Sequence, residues 1–219
     1  MAVTTFDGHI MGASFATGDR FVAGRWFRSP FGAFADVMWC RPDGRRVLIA
    51  PDERVRDFVA GHYAFDELIL GDVRIERTSG GAIEATAGPV RLMLRARRRG
   101  VVSTLLAVRP RPLRTWRQWI TVEDRVLRPV VQPLFAATGL GTTGVRTTGV
   151  TLAGAREWYG IHDLREADAE ASIDGVDLGA PAACPPAGFG FSEFPAQPAI
   201  VRVTSMFAEA TARPTTAGS

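Results

Sequence analysis

Short apolar runs bounded by turn residues recur along this chain at spacings that suit strands. The clearest signal is Pro42-Asp43-Gly44, set between Phe34–Cys40 and Arg46–Ala50. Pro fixes φ, the Asp carboxylate accepts from backbone two residues on, and Gly takes the positive φ that closes a hairpin. His9–Phe15 and Arg20–Phe27 flank a similar cluster, Ala16-Thr17-Gly18-Asp19. Further strands are expected over Glu67–Arg77, Ala82–Ala87, Val90–Arg97, Val145–Leu152, Glu157–Leu164, Ala169–Ile173 and Ala199–Phe207. About ten short strands with few helices predict an α+β, mainly β fold, an antiparallel barrel or a strongly curved sheet.

Two helical segments interrupt the strands. Asp52 can cap a helix whose apolar face carries Val55, Phe58, Val59 and His62. A larger insertion, at about 100–135, opens with the apolar run 101–107 and becomes helical in period from Leu113. There Arg114, Gln118, Thr121, Arg125 and Arg128 form a polar stripe, with Leu113, Trp116, Trp119, Ile120, Val126 and Leu127 on the remaining arc. This reads as an amphipathic helical hairpin inserted into the sheet, broken or kinked near Pro129. With 219 residues and 46% hydrophobic content, a single β-rich domain over 1–207 is expected, followed by a small, polar, disordered tail at 208–219.

The chain has no lysine, so all 26 basic side chains are arginine. That excludes Schiff-base, PLP-anchoring and P-loop lysine chemistry, because guanidinium stays protonated and is not nucleophilic. Asparagine is missing too, which fits the codon usage of a GC-rich genome. Nine of the arginines fall in the acid-free stretch Ala85–Val122, and the other 17 face 23 carboxylates. The basic charge is therefore local. No basic n-region or apolar h-region opens the chain, and no apolar run reaches a membrane-spanning length, so the expected address is cytoplasmic, with peripheral membrane contact through the Arg/Trp-rich helix. Cys40 and Cys184 fit no metal or redox spacing and are expected as reduced thiols. No metal and no cofactor are expected.

Ser29-Pro30-Phe31-Gly32-Ala33-Phe34-Ala35-Asp36-Val37, followed by a strand, a Gly hairpin, a second strand and a short helix, resembles the opening of the acetoacetate-decarboxylase-like barrels. The resemblance covers roughly residues 29–78. It implies a β-barrel with an apolar cavity for a small acid or ketone, and a reactive lysine just after the helix. Here that segment reads Gly61-His62-Tyr63-Ala64-Phe65-Asp66-Glu67. The fold can carry over; the lysine mechanism cannot.

Several residues are candidates for a site, each with an ordinary structural alternative. Gly139–Gly144 matches GxGxxG, but a helix precedes it and β-type sequence follows, the reverse of a dinucleotide fingerprint. In Glu157–Asp163, strand alternation puts Trp158, Gly160 and His162 on one face and Glu157, Tyr159, Ile161 and Asp163 on the other. His162 is then a candidate general base, with Gly160 leaving room for a ligand; the alternative is a hydrogen-bonded surface histidine. Asp36, on an otherwise apolar strand, is a candidate ligand contact or a surface carboxylate. Arg98, Arg99, Arg114, Trp116 and Trp119 are candidates for ligand or membrane contact, since cations and Trp together suit an anionic lipid surface. Nucleic acid is the weaker partner for that element, and a plain packed helix is the bland one. The expectation is a binding module: an apolar barrel cavity for a small or amphiphilic anionic ligand, gated by the insertion. The rival is a lysine-independent enzyme on a small organic acid or ketone, using His162 with Asp36 or Glu157.

Overall fold

The structure, a computed structural model, describes residues 2–129 and 144–208. The end of the insertion, most of the glycine motif at 139–144 and the tail from 209 lie outside the described residues. The strands are β1 (Val3–Ser14), β2 (Arg20–Arg28), β3 (Phe34–Cys40), β4 (Arg46–Ala50), β5 (Glu67–Leu70), β6 (Val73–Arg77), β7 (Ile83–Ala87), β8 (Val90–Ala96), β9 (Thr148–Val150), β10 (Arg156–Ile173), β11 (Val176–Asp177) and β12 (Ala199–Ala208). The helices are α1 (Glu53–His62), α2 (Val101–Val108) and α3 (Arg117–Val122).

Ten strands form one continuous ribbon in the order β5-β4-β3-β2-β1-β12-β10-β8-β7-β6, with β9 and β11 on the flank of β10. All pairs are antiparallel except β4 with β5, which α1 connects as a parallel crossover. The outermost strands of the ribbon, β5 and β6, are separated in sequence only by Gly71 and Asp72. A sheet whose two edges are two residues apart must curl back on itself, and the fold is a half-barrel. Val37 and Ile49 from one end and Ile75, Leu92 and Leu94 from the other meet in one core on the inner face. Leu92 and Leu94 are fully buried; truncating either to Ala costs about 2–5 kcal/mol.

The turn chemistry forms as the sequence predicts. Gly44 has φ +84°, its N–H donates to the Arg41 carbonyl, and the Asp43 carboxylate accepts from the Arg45 N–H. Asp52 caps α1 by accepting from the Val55 N–H at 3.0 Å. Other expectations change. Glu67–Arg77 breaks at Gly71-Asp72 into β5 and β6. Glu157–Leu164 and Ala169–Ile173 fuse into β10 through Arg165–Asp168, where the only inner-face residue is the small Ala167 and the rest are charged.

The helix expected from Leu113 divides. Arg111–Arg114 is a 3-10 turn, α3 follows, and Glu123–Leu127 is a π turn. Arg114 holds the first break: its guanidinium donates to the carbonyls of Ala107 and Arg109 at the end of α2. Asp124 sits within the π turn, buried against the Arg146 guanidinium and the Thr147 N–H. Arg114 and Thr121 thereby leave the solvent stripe, while Trp116 and Val126 leave the apolar arc and stand exposed. Ile120 stays on that arc, buried with Trp158 and Met206. Among the described residues no helix is long and apolar enough to cross a membrane, and Cys40 and Cys184 are unpaired.

Candidate functional site

The strands have a second buried face. On the side away from the inner core, α1 and the loop following β11 cover β1, β2, β3, β10 and β12, enclosing a cavity of ≈ 180 Å³. Its walls are mostly apolar, with Phe6, Val22, Trp26, Ile161, Val203 and Phe207 among them. The covering loop is pinned by a buried ion pair: the Arg20 guanidinium lies 3.2 Å from Glu193 and also donates to the carbonyls of Phe194 and Pro185. Glu193 in turn accepts from the N–H groups of Ala187 and Gly188.

Behind the cavity wall lies Glu157, fully buried on β10. The Ser205 hydroxyl donates to it at 2.6 Å and the Tyr63 phenol at 2.7 Å, and the Tyr63 and Tyr159 oxygens are 3.0 Å apart. Three elements converge here: Tyr63 closes the C-terminal end of α1, Tyr159 is two residues along β10 on the same face, and Ser205 comes from β12. These are the chain's only two tyrosines. Burial pushes the Glu157 carboxyl up to about 7, against the opposing pull of its hydrogen bonds from Ser205, Tyr63 and Tyr159. Burial, and then the neighbouring Glu157, hold both phenols well above their ordinary range. A proton resides on Glu157 in a large share of molecules near neutral pH.

Asp36 is also buried, and it lines the cavity itself. Burial raises it to about 7, and the Trp26 indole N–H, donating at 3.0 Å, draws it part of the way back. Gly24 makes room for this pair, since a Cβ there would lie 2.6 Å from the Asp36 carboxylate and 2.7 Å from the indole nitrogen.

The structure sets Asp36 in the cavity wall and Glu157 behind it, and leaves His162 outside. A bulge between Ile161 and Asp163 inserts His162 as an extra residue against β12. Before the bulge Tyr159 and Ile161 face the cavity, with Glu157 buried behind them; after it Leu164 does, and Asp163 turns to the other side. Strict alternation, which sets Asp163 opposite His162, fails for this reason. His162 Nε2 lies 2.8 Å from Thr204 Oγ1, which donates to Asp7 at 2.5 Å. Asp163 accepts from Ser103 of α2. Gly160 leaves no room for a ligand, because the Arg114 carbonyl occupies it, 2.4 Å from where a Cβ would stand.

The described part of the insertion, up to residue 129, covers this His162 side. None of its described residues lines the cavity; Val145, Arg146 and Thr147, just beyond it, do. Asp124 links the two by holding Arg146 and Thr147. Arg98 is exposed, Arg99 lies 3.6 Å from Asp163, and Arg114 is half-buried on its carbonyls. Trp116 is 52% exposed, and Trp119 keeps a buried indole N–H without a hydrogen-bond partner. His62 packs at a tilt on Phe58 and donates from Nδ1 to the Phe58 carbonyl, a packing role. The Ser192 hydroxyl donates to the Arg146 carbonyl. Among the described residues no group of three or more His, Cys, Asp or Glu is placed to hold a metal.

Tyr63 and Ser205 were not legible as site residues. The one available signal was rarity, with both tyrosines of the chain converging on one carboxylate. Tyr63 also occupies the segment in which the acetoacetate-decarboxylase-like resemblance implies a lysine.

No family model and no curated protein matches the chain. Among solved structures, a protein of Nitrosomonas europaea described as a "putative AttH" is similar at 11% identity with a TM-score of 0.35, over 97% of this chain and 53% of that one. The chain thus spans about half the length of that neighbour, and so loose a likeness transfers no residue role.

Proposed function

We propose that the protein is a binding module whose cavity takes a small amphiphile, its apolar body against the aromatic and aliphatic walls and its polar end at the Glu157 cluster. The observation that carries this reading is a buried, protonatable carboxyl, ringed by both tyrosines, behind an apolar cavity of ≈ 180 Å³. Apolar pockets with a few convergent polar groups are the usual form of small-molecule sites. Two carboxyls poised near neutrality favour a neutral hydrogen-bonding group inside, such as an alcohol, ketone or protonated acid. An anionic head fits only toward Arg20 and Arg146, the two cations of the lining, each already paired with a carboxylate. The acetoacetate-decarboxylase-like resemblance, which implies a small acid or ketone, agrees with that preference. Mass spectrometry of small molecules extracted from the purified protein tests it: an apolar compound at near-stoichiometric amount is expected from the wild type and none from Val22→Phe.

A second reading is favoured by one observation, the carboxyl of Glu157 raised to about 7 beside Tyr63. A proton carrier near the working pH is what general acid–base catalysis on a ketone or acid requires. Exchange of the α-hydrogens of 2-butanone in D₂O, followed by NMR, separates the readings: an enzyme accelerates it and Glu157→Gln removes the acceleration.

The insertion is proposed to rest on an anionic membrane surface. Leu105, Val108, Trp116, Val122 and Val126 are exposed apolar side chains on it, and Arg98, Arg111 and Arg125 have no charged partner among the described residues. Flotation with anionic but not neutral vesicles, lost at high salt, is the expected result.

A further inference from the structure

Three neighbouring strands set Arg25, His9 and Arg202 side by side. His9 on β1 is directly opposite Arg25 on β2 and Arg202 on β12, and residues opposite one another in an antiparallel ladder share a face. Phe27 completes the cluster. The His9 ring meets it edge-on at 5.1 Å, and both guanidiniums lie 5.4 Å from its centre. Arg77, at the end of β6, is close enough to act on His9 as a third cation. This face points away from the cavity, so none of these residues belongs to the site described above.

The charges in this cluster do not balance. Arg25 and Arg77 have no carboxylate partner among the described residues. Arg202 donates to the carbonyls of Gly8 and Val203 and reaches Asp7 only at 4.0 Å. Asp7, which faces Arg28 across the ladder, already accepts from Thr204. Asp163, opposite Arg202 on β10, is shared among Arg99, Arg165 and Ser103. Burial and then Arg202, Arg25 and Arg77 drive the His9 imidazole down to about 4, with Asp163 opposing. Three guanidiniums around a neutral imidazole repel one another unless an anion lies among them. Guanidinium forks match the oxygens of a phosphate, and a neutral imidazole N–H adds one more donor.

We propose that Arg25, His9, Arg202 and Arg77 form a site for a phosphate group, carried by a small molecule or by a lipid headgroup. It stands independently of the cavity reading.

The test is a titration of the full chain with inorganic phosphate, against sodium chloride at matched ionic strength, read on the histidine ring NMR signals. Only three histidines are present, so the His9 signals can be assigned by His9→Gln. Phosphate is expected to shift them saturably and to raise the His9 pKa, because a bound anion offsets the guanidinium field. Arg25→Gln removes no hydrogen bond, only the ring contact with Phe27, and is expected to fold as the wild type does while weakening binding at least about tenfold. Vesicles of phosphatidate in phosphatidylcholine distinguish the sources. Vesicle binding that Arg25→Gln weakens assigns a lipid headgroup, and phosphate binding with vesicle binding unchanged in Arg25→Gln assigns a soluble ligand. The proposal is overturned if phosphate moves the His9 signals no more than chloride does, or if Arg25→Gln binds phosphate as the wild type does.

Discussion

Tyr63, at the C-terminal end of α1, donates its phenol hydrogen to Glu157 on β10 at 2.7 Å, across 94 positions of sequence. That bond ties the covering helix to the floor of the sheet. Glu157 has no exposed surface, so replacing it leaves three hydroxyls to find new partners. Glu157→Ala is expected to destabilise the fold by about 2–4 kcal/mol, since unsatisfied buried polar groups and a new void both add cost. Glu157→Gln keeps an acceptor and is expected to cost much less. Urea unfolding at pH 6 measures both; equal loss in the two variants would refute this role.

The same carboxyl sets a pH dependence. Its native pKa of about 7 lies above the ordinary 4.5, so the native state holds the proton more tightly than the unfolded chain does. The resulting stability is fully present below about 4.5 and is lost as pH rises to about 7. Asp36, raised from 3.8 to about 7, acts with the same sign. Each shift corresponds to roughly 3–4 kcal/mol at most. His9 works oppositely: lowered to about 4, it adds stability as pH rises toward 6.5. The difference between wild type and Glu157→Gln isolates the first effect, and the variant should gain relative stability between pH 5 and 8. A difference that does not change with pH would count against it.

His162 sits on the far side of the sheet, bonded to Thr204. His162→Ala is therefore expected to leave cavity binding, and any turnover there, within about twofold of wild type, with a stability loss of about 1 kcal/mol from one hydrogen bond. Tyr63→Phe should alter cavity binding instead. Loss of cavity function in His162→Ala alone would place the chemistry on the wrong face.

Gly160 is in contact with the Arg114 carbonyl. Gly160→Ala must push the insertion off β10, because the obstacle is backbone and cannot rotate away. Faster hydrogen exchange in α2 and α3 is the expected result, with α1 and the cavity strands unchanged and a cost of roughly 1–3 kcal/mol. Unaltered exchange there would show that the insertion is not seated as described.

These sites show where sequence reading holds and where it stops. The hairpin at Pro42-Asp43-Gly44 and the Asp52 cap were legible because their chemistry is local, settled within three residues. Asp36 could be suspected as a carboxylate on an apolar strand, and Glu157 as part of the Glu157–Asp163 cluster of reactive types. Their shared cavity could not be found, because both faces of β3 and β12 are buried and alternation then stops distinguishing inside from outside. The bulge at His162 reversed the expected facing of Asp163 and depends on pairing with β12, some 40 residues away. The division of the long helix follows from the Arg114 guanidinium turning back onto α2, a contact invisible in a periodic pattern that counts Arg as solvent-facing.

The central claim, that the cavity over Glu157 binds a small amphiphile, is tested most directly by calorimetric titration of decanol and decanoate into wild type and Val22→Phe, whose added ring occupies the cavity. The account predicts saturable binding of decanol to the wild type, weaker binding of decanoate at pH 8, and neither in the folded, filled variant. Equal binding to both proteins, or no binding of either amphiphile to the wild type, would contradict it.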